Sequence, residues 1–361
     1  MLTIAVVLLV FLLIPAGVLL ACSSGKAEPF VDENGRLLES AISEKVFVEI
    51  NGVRQGMFIK SRDATNPVLL YLHGDMPDYF LTKRYPTGLE ECFTVVWWEQ
   101  RGSGISCNSS IPPETMTLEQ MISDSLELTN YLRRRFAQEK IYLMGHSGGT
   151  FIGIQAAARS PELFYAYLGV AQMSNQLKSE KLAYDSMLKQ FKEKGNTRMV
   201  RKLEQAPVTL TDGTPDGYLK VRDKAMHRLG IGTTRDMRSV ITGIFLPSLL
   251  CREYSLREKL NMWLGKSRAV VSILWDKMLA TDLSKAVTRI DLPVYFFEGI
   301  YDYTCSFTEA KAFFELLKAP LKGFYAFEHS AHSPLLEEPG KMLRILRADV
   351  LAGVNNLADS K

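Results

Sequence analysis

Residues 145–149 read Gly145-His146-Ser147-Gly148-Gly149, a G-x-S-x-G pentapeptide. It lies between an apolar run, Ile141-Tyr142-Leu143-Met144, and a small-residue stretch of helical character from Thr150 to Arg159. A strand that enters a helix through so short a turn strains its central residue and brings the helix close to the sheet. Both effects require glycines on either side. The turn holds the serine hydroxyl clear of its own backbone and sets a helix N-terminus beneath any oxyanion that forms there. The competing reading is a glycine-rich turn with a capping serine; the flanking strand and helix favour a nucleophile.

The elements around this turn alternate. Asn51-Gly52, a strong hairpin signal, separates Lys45–Ile50 from Val53–Lys60. Pro67–Leu72 and Phe93–Trp98 are continuous apolar runs, as expected for strands covered on both faces. Apolar residues recur at helical spacing from Thr117 to Phe136, with Thr117 and Gln120 placed for a capping box. Tyr167–Val170 is a further strand. After residue 290 the alternation resumes with a strand (Pro293–Glu298), a helix (Ser306–Leu317), a strand (Gly323–Phe327) and a helix (Glu338–Leu351). Such a pattern implies a mostly parallel central sheet with helices on both faces. The stretch between residues 175 and 290 reads as helices with irregular links, inserted after the sixth strand. There it covers the carboxyl ends of the strands, where sheets of this kind bind ligands.

The N-terminus stands apart. Residues 4–21 carry no charge and are almost wholly apolar, and Leu19-Leu20-Ala21-Cys22 is similar to a bacterial lipobox, although Met1-Leu2-Thr3 offers no basic residue. A lipid anchor at Cys22, an uncleaved transmembrane segment and a plain secretory signal are the alternatives. Each directs the globular part across or onto a membrane, and the expected location is membrane-anchored and extracytoplasmic. Residues 1–25 are thus a signal or anchor, 26–44 a tether, 45–174 and 291–361 the two parts of the α/β core, and 175–290 a cap. The five cysteines (22, 92, 107, 251 and 305) show neither a disulfide framework nor metal spacing. A formal net charge of +3 gives no reason to expect nucleic acid as a partner.

A serine becomes a nucleophile only with a base to take its proton and a third group to orient that base. Of five histidines, His73 and His146 lie inside other motifs and His227 lies in the insertion. His329 and His332 remain, in the loop after the last strand, and His332 is the deeper of the two. The orienting acid should leave the preceding strand at its carboxyl end, where Asp302 stands; Glu298 is the runner-up, still inside the strand. Two backbone N–H groups should meet the oxyanion. One is that of Gly148; the other comes from His73-Gly74-Asp75-Met76, with Asp75 expected and Gly74 the alternative.

With these residues in place the chain resembles the α/β-hydrolase superfamily, and within it the proline iminopeptidase-like branch, from about Val46 to Leu351. Glu99-Gln100-Arg101-Gly102-Ser103-Gly104-Ile105-Ser106 is similar to that branch's D-Q-R-G-x-G-x-S, Gly299-Ile300-Tyr301-Asp302 to its G-x-x-D, and Ser330-Ala331-His332-Ser333 to its S-G-H-S. The last likeness sets His332 above His329, and the chain order Ser147, Asp302, His332 is that of the superfamily. The resemblance implies an α/β-hydrolase fold with a helical cap. It also implies a Ser-His-Asp triad of Ser147, His332 and Asp302, and an acyl-enzyme mechanism without metal or organic cofactor. Three departures stand out: the H-G-G-P-G loop is shortened to His73-Gly74-Asp75-Met76-Pro77, the G-G-S-W-G turn carries His146, and Glu99 replaces an aspartate.

Charge pulls the other way on substrate. Residues 175–285 hold 21 Lys+Arg against 12 Asp+Glu. A basic cap works against a cationic substrate amine at long range. It also suits anionic headgroups. The expected function is hydrolysis of an ester or amide in a small molecule or short peptide. Iminopeptidase-type aminopeptidase and carboxylesterase or lipase are the two enzymatic readings; a non-catalytic membrane-anchored binding protein is the rival from another class.

Overall fold

A computed structural model describes residues 16–266 and 270–360. Eight strands form one sheet in the order β1-β2-β4-β3-β5-β6-β7-β8. They are β1 (Ile42–Ile50), β2 (Val53–Ser61), β3 (Val68–Leu72), β4 (Thr94–Glu99), β5 (Ile141–His146), β6 (Phe164–Val170), β7 (Val294–Gly299) and β8 (Lys322–Phe327). β2 pairs antiparallel with both β1 and β4, and every other pairing is parallel. The hairpin turns at Asn51 and Gly52, both with positive φ (46° and 73°), the signature that Asn-Gly supplies. β1 starts at Ile42 rather than Lys45, because Ile42, Ser43 and Glu44 continue the ladder opposite Ser61, Lys60 and Ile59.

The apolar runs explain the layers. In β3, Val68, Leu70 and Leu72 join one core while Leu69 and Tyr71 join the other; β5 and β7 divide in the same way, with Ile141, Leu143, Val294 and Phe296 facing one side and Tyr142, Met144, Tyr295 and Phe297 the opposite side. A period of two with both faces apolar needs a cover on each face. The helices Leu118–Arg135, Gly148–Arg159 and Phe307–Leu316 cover the first; the second is covered by Pro339–Ile345, its π-helical continuation Leu346–Val350 and the segment around Tyr79–Leu81.

Thr117 caps its helix, its side chain accepting from Gln120 N–H at 3.2 Å, but the expected box is half made. The Gln120 amide turns instead to Asp124 Oδ1 at 2.8 Å, where a buried charge outcompetes an exposed N–H. Between β6 and β7 the chain forms a set of helices, among them Gln176–Glu193, Thr197–Glu204, Asp216–Leu229 and Leu256–Leu264. These helices have a core of their own that includes Ala183, Met187, Phe191, Leu203, Tyr218 and Met226.

The order of strands places the site. After β3 the chain crosses to β4 on one side, and β5 lies on β3's other side, so the loops leaving β3 and β5 meet at a topological switch point. Their closeness is enforced at Gly149, where a Cβ would lie 2.1 Å from the Leu72 carbonyl oxygen and 2.7 Å from that of His73. Gly149→Ala is therefore expected to destabilise the fold by about 3 kcal/mol or more. Chemical denaturation checks this, and a loss under about 1 kcal/mol would show that the helix can shift without cost.

Of residues 4–21, positions 4–15 lie outside the described residues; positions 16–21 are helical. Among the described residues no helix is long and apolar enough to cross a membrane.

Candidate functional site

Ser147 lies between β5 and the helix Gly148–Arg159, at the helix N-cap, in a strained conformation (φ 54°, ψ −124°). Its N–H bonds the Val170 carbonyl at 3.0 Å, so the strain is fixed by the neighbouring strand. A Cβ at Gly145 would lie 2.8 Å from Thr150 N, which explains the first glycine of the pentapeptide. The Gly148 N–H is the first of the helix and has no acceptor within it.

His332, in the loop after β8, places Nδ1 2.8 Å from Asp302 Oδ2. Asp302 follows β7, and its other oxygen accepts the N–H groups of Thr304 (2.7 Å) and Cys305 (3.1 Å). Both side chains are buried, and His332 and Ser147 line one cleft of about 150 Å³. The two runners-up stand elsewhere. His329 is exposed, with its N–H on Glu338 Oε2 at 3.0 Å. Glu298 is sealed within the sheet, accepting Gln172 N–H at 2.8 Å, and burial pushes its carboxyl well above the usual range.

The loop after β3 comes against Ser147 at Gly74, where a Cβ would lie 2.9 Å from Ser147 Cβ and 3.2 Å from its Oγ. Asp75, the expected second oxyanion donor, follows it, with a half-exposed side chain paired to Lys266 of the cap at 3.2 Å. Its charge is thus offset by the Lys266 ammonium. His73 fixes the loop: Nδ1–H donates to Gly74 O at 3.0 Å, while Nε2 accepts Gln100 N–H at 3.2 Å. Gln100 Nε2 returns a bond to His73 O at 2.8 Å. Burial holds the His73 pKa below its ordinary value, which suits this neutral tautomer. Arg101 is locked behind it by a buried fork on Asp124 (2.7 and 2.9 Å).

Glu99 is fully buried, taking Ile105 N–H at 2.6 Å and the Tyr254 hydroxyl. Burial raises its pKa to about 8. A carboxyl raised on folding stabilises most below its unfolded pKa, and that contribution is lost as pH climbs from about 4.5 to about 8. Glu99→Gln is expected to remove this fall, worth on the order of 3–5 kcal/mol. Melting curves of wild type and variant that stay parallel over this interval would place the proton elsewhere.

Sequence reasoning left His146 inside the turn motif and missed its partner Asp78. His146 Nδ1 lies 3.1 Å from Asp78 Oδ2, and Nε2 lies 2.9 Å from the His332 carbonyl oxygen. Burial lowers the His146 pKa, but the Asp78 bond and charge and the carbonyl outweigh it, leaving a net rise. The contact of Nε2 with the His332 carbonyl ties His146, in the turn at Ser147, to the loop that carries His332. The sequence separation of His146 and Asp78 hides the pair; the only signal is a titratable side chain inside the turn at Ser147. Cys305, close after Asp302, is buried, and its thiol donates to Gln176 Oε1 at 3.8 Å. The cap contributes Arg222, whose guanidinium grips the buried Glu180 at 2.6 and 2.7 Å, and Asp223 beside it at 3.1 Å. Burial raises the Asp223 pKa, but the charges of Arg222 and Lys266 outweigh it and hold the carboxyl below its usual value.

The serine aminopeptidase S33 family model matches residues 89–339. The chain belongs to this family. It is therefore a hydrolase of the α/β-hydrolase superfamily. This S33 family member is 30% identical over 296 residues to the probable aminopeptidase YbaC of Bacillus subtilis (strain 168), a match covering 81% of this chain and 91% of that protein. Its fold is similar to that of a proline iminopeptidase-related protein of Thermus thermophilus, with 17% identity, a TM-score of 0.58 and coverage of 86% and 99% of the two chains. It is also similar to that of a membrane phospholipase A described as a bacterial virulence factor, with 18% identity, a TM-score of 0.55 and coverage of 99% and 100%.

Proposed function

We propose that this S33 family member is a serine hydrolase that cleaves an amide or ester through an acyl-enzyme, acting as an aminopeptidase of the proline iminopeptidase type. One observation carries the mechanism: His332 is bonded to Asp302 at 2.8 Å and lines the same cleft as the strained Ser147. In this reading Ser147 attacks the carbonyl, and His332 takes its proton and returns it to the leaving group. Asp302 holds the imidazole in the tautomer with Nε2 free to accept. Gly148 N–H and a donor from Gly74-Asp75 receive the oxyanion. Water, activated by His332, then releases the acyl group. Family membership and the YbaC likeness support the aminopeptidase assignment.

A second reading, carboxylesterase or lipase, draws on the charges in the cleft. Among the described residues each carboxylate lining it already has a cationic or histidine partner: Asp75 has Lys266, Asp78 has His146 and Asp223 has Arg222. A substrate ammonium must break or share one of these pairs, and Asp223, about half exposed, yields most readily. The test is labelling by a fluorophosphonate beside Ser147→Ala, followed by turnover of a prolyl arylamide against a short acyl ester. Labelling lost in the variant with faster arylamide turnover supports the aminopeptidase. Faster ester turnover selects the second reading, and wild type that binds but never labels is the non-catalytic protein.

A further inference from the structure

The cap exposes apolar side chains that its own packing does not explain. Ile241, Phe245, Leu246 and Leu250 belong to one helical stretch, and Leu260 and Leu264 to the helix Leu256–Leu264; Ile241 is 64% and Leu264 74% exposed. The two stretches lie side by side. Phe245 meets Trp263 edge-on with ring centroids 4.9 Å apart, and Trp263 Nε1 donates to Ser248 Oγ at 2.9 Å. Such a surface is larger than isolated exposed leucines require and marks an interaction site.

The N-terminal segment arrives at the same place. The buried Lys259 ammonium donates to Leu249 O (2.6 Å), to Ser23 Oγ (3.0 Å) and to the Cys22 carbonyl, so one cation fastens the end of the apolar segment 4–21 to both cap stretches. Ser24 bridges to Ser255 and Gly25 N–H bonds Arg252 O at 3.0 Å, which extends the attachment. Val18 and Leu20 are exposed just before it. The apolar face of the cap is thus tied to residues 22–25, which follow a stretch without charge in the sequence (residues 4–21).

The charges around the patch are mostly basic, the acidic exceptions being Glu28, 4.0 Å from Arg252, and Asp236, which pairs with Arg84. Arg238, Arg252 and Arg257 are exposed. The nearby acids are neutralised from the core side, Glu253 by Lys60 at 2.5 Å and Glu258 by Lys45 at 2.9 Å. A second copy of this face would set arginine against arginine, whereas an anionic lipid surface meets both the apolar and the basic groups.

We propose that this cap face, Ile241–Leu250 with Leu256–Leu264, docks on an anionic phospholipid bilayer beside the N-terminal segment. Val240 and Ile244 of the same stretch line the Ser147 cleft, so docking turns the mouth of the cleft to the leaflet. The inference does not depend on what chemistry Ser147 performs.

Hydrogen exchange of the full chain tests it, with and without vesicles of phosphatidylcholine and phosphatidylglycerol. Amides of residues 241–264 are expected to exchange at least about tenfold more slowly on vesicles. The helix Phe307–Leu316, which also exposes a leucine, Leu316, should be unchanged. Leu260→Glu/Leu264→Glu, at exposed positions that leave the fold intact, should lose the protection, and Ser147→Ala should keep it. Unchanged exchange at 241–264 overturns the proposal. So does equal protection on vesicles without phosphatidylglycerol. Protection that appears without vesicles and rises with protein concentration would assign the face to a second copy, and protection without vesicles at every concentration to residues 1–15 of the same chain.

Discussion

Ser147→Ala is expected to lower turnover about 10⁶-fold while leaving the melting temperature nearly unchanged. The hydroxyl takes no part in holding the turn. Its backbone does that work, through the Ser147 N–H bond to Val170 O, the Thr150 N–H bond to Ser147 O at 2.9 Å and the glycines at 145 and 149 that let the helix close on the sheet. Alanine keeps the same Cβ at φ 54° and so keeps the same strain. Glycine relieves it, and Ser147→Gly is expected to be equally inactive yet more stable by about 1 kcal/mol. This opposition between activity and stability is what a strained nucleophile predicts, and a capping serine predicts the reverse: no loss of turnover, and a loss of stability in both variants. Steady-state kinetics and thermal denaturation of the two proteins decide between them. Residual turnover near the wild-type rate in Ser147→Ala would move the chemistry to another residue.

What was legible in the sequence followed from local periodicity and from steric necessity. Both core faces of β3 can be read from Val68–Leu72, because a doubly covered strand has no polar side. Gly145 and Gly149 announce a turn that no other residue fits. What was not legible depends on contacts between distant segments. Asp78 is separated from His146 by β4, the helix Leu118–Arg135 and β5, and nothing in the shortened His73–Pro77 loop marks it as the partner of a histidine. The half-made capping box has the same cause: Gln120 is drawn to Asp124, whose charge is buried only because Arg101, Gln55 and Asn51 converge on it. The choice between His329 and His332 lay within one short loop. It depends on which side of the Ser330–Ala331 backbone faces Asp302. Residues 26–44, read as a tether, hold to the body through Glu28, whose N–H meets Glu253 Oε1 at 2.6 Å and whose carbonyl accepts from Lys60. Polar composition alone does not distinguish a free tether from one hydrogen-bonded to the body.

Asp302→Asn is expected to cost about 10⁴-fold in turnover, through the tautomer of His332 and not through its position. The surroundings of Asp302 decide how the amide must sit. Oδ1 accepts two backbone N–H groups, from Thr304 and Cys305, so the oxygen of an asparagine is held there and its NH₂ is forced toward His332 Nδ1. An NH₂ can only donate, so Nδ1 becomes the acceptor and the proton moves to Nε2. That nitrogen can then no longer take a proton from Ser147. The imidazole stays in place, because the same number of bonds holds it and the His332 carbonyl remains on His146. Stability should therefore change by less than about 1 kcal/mol, and affinity for a substrate analogue should be kept. The measurement is kcat alongside the binding of such an analogue. A large loss of kcat with binding preserved matches the tautomer argument. Loss of both would mean that Asp302 maintains the loop itself, and turnover at the wild-type rate would remove Asp302 from the mechanism.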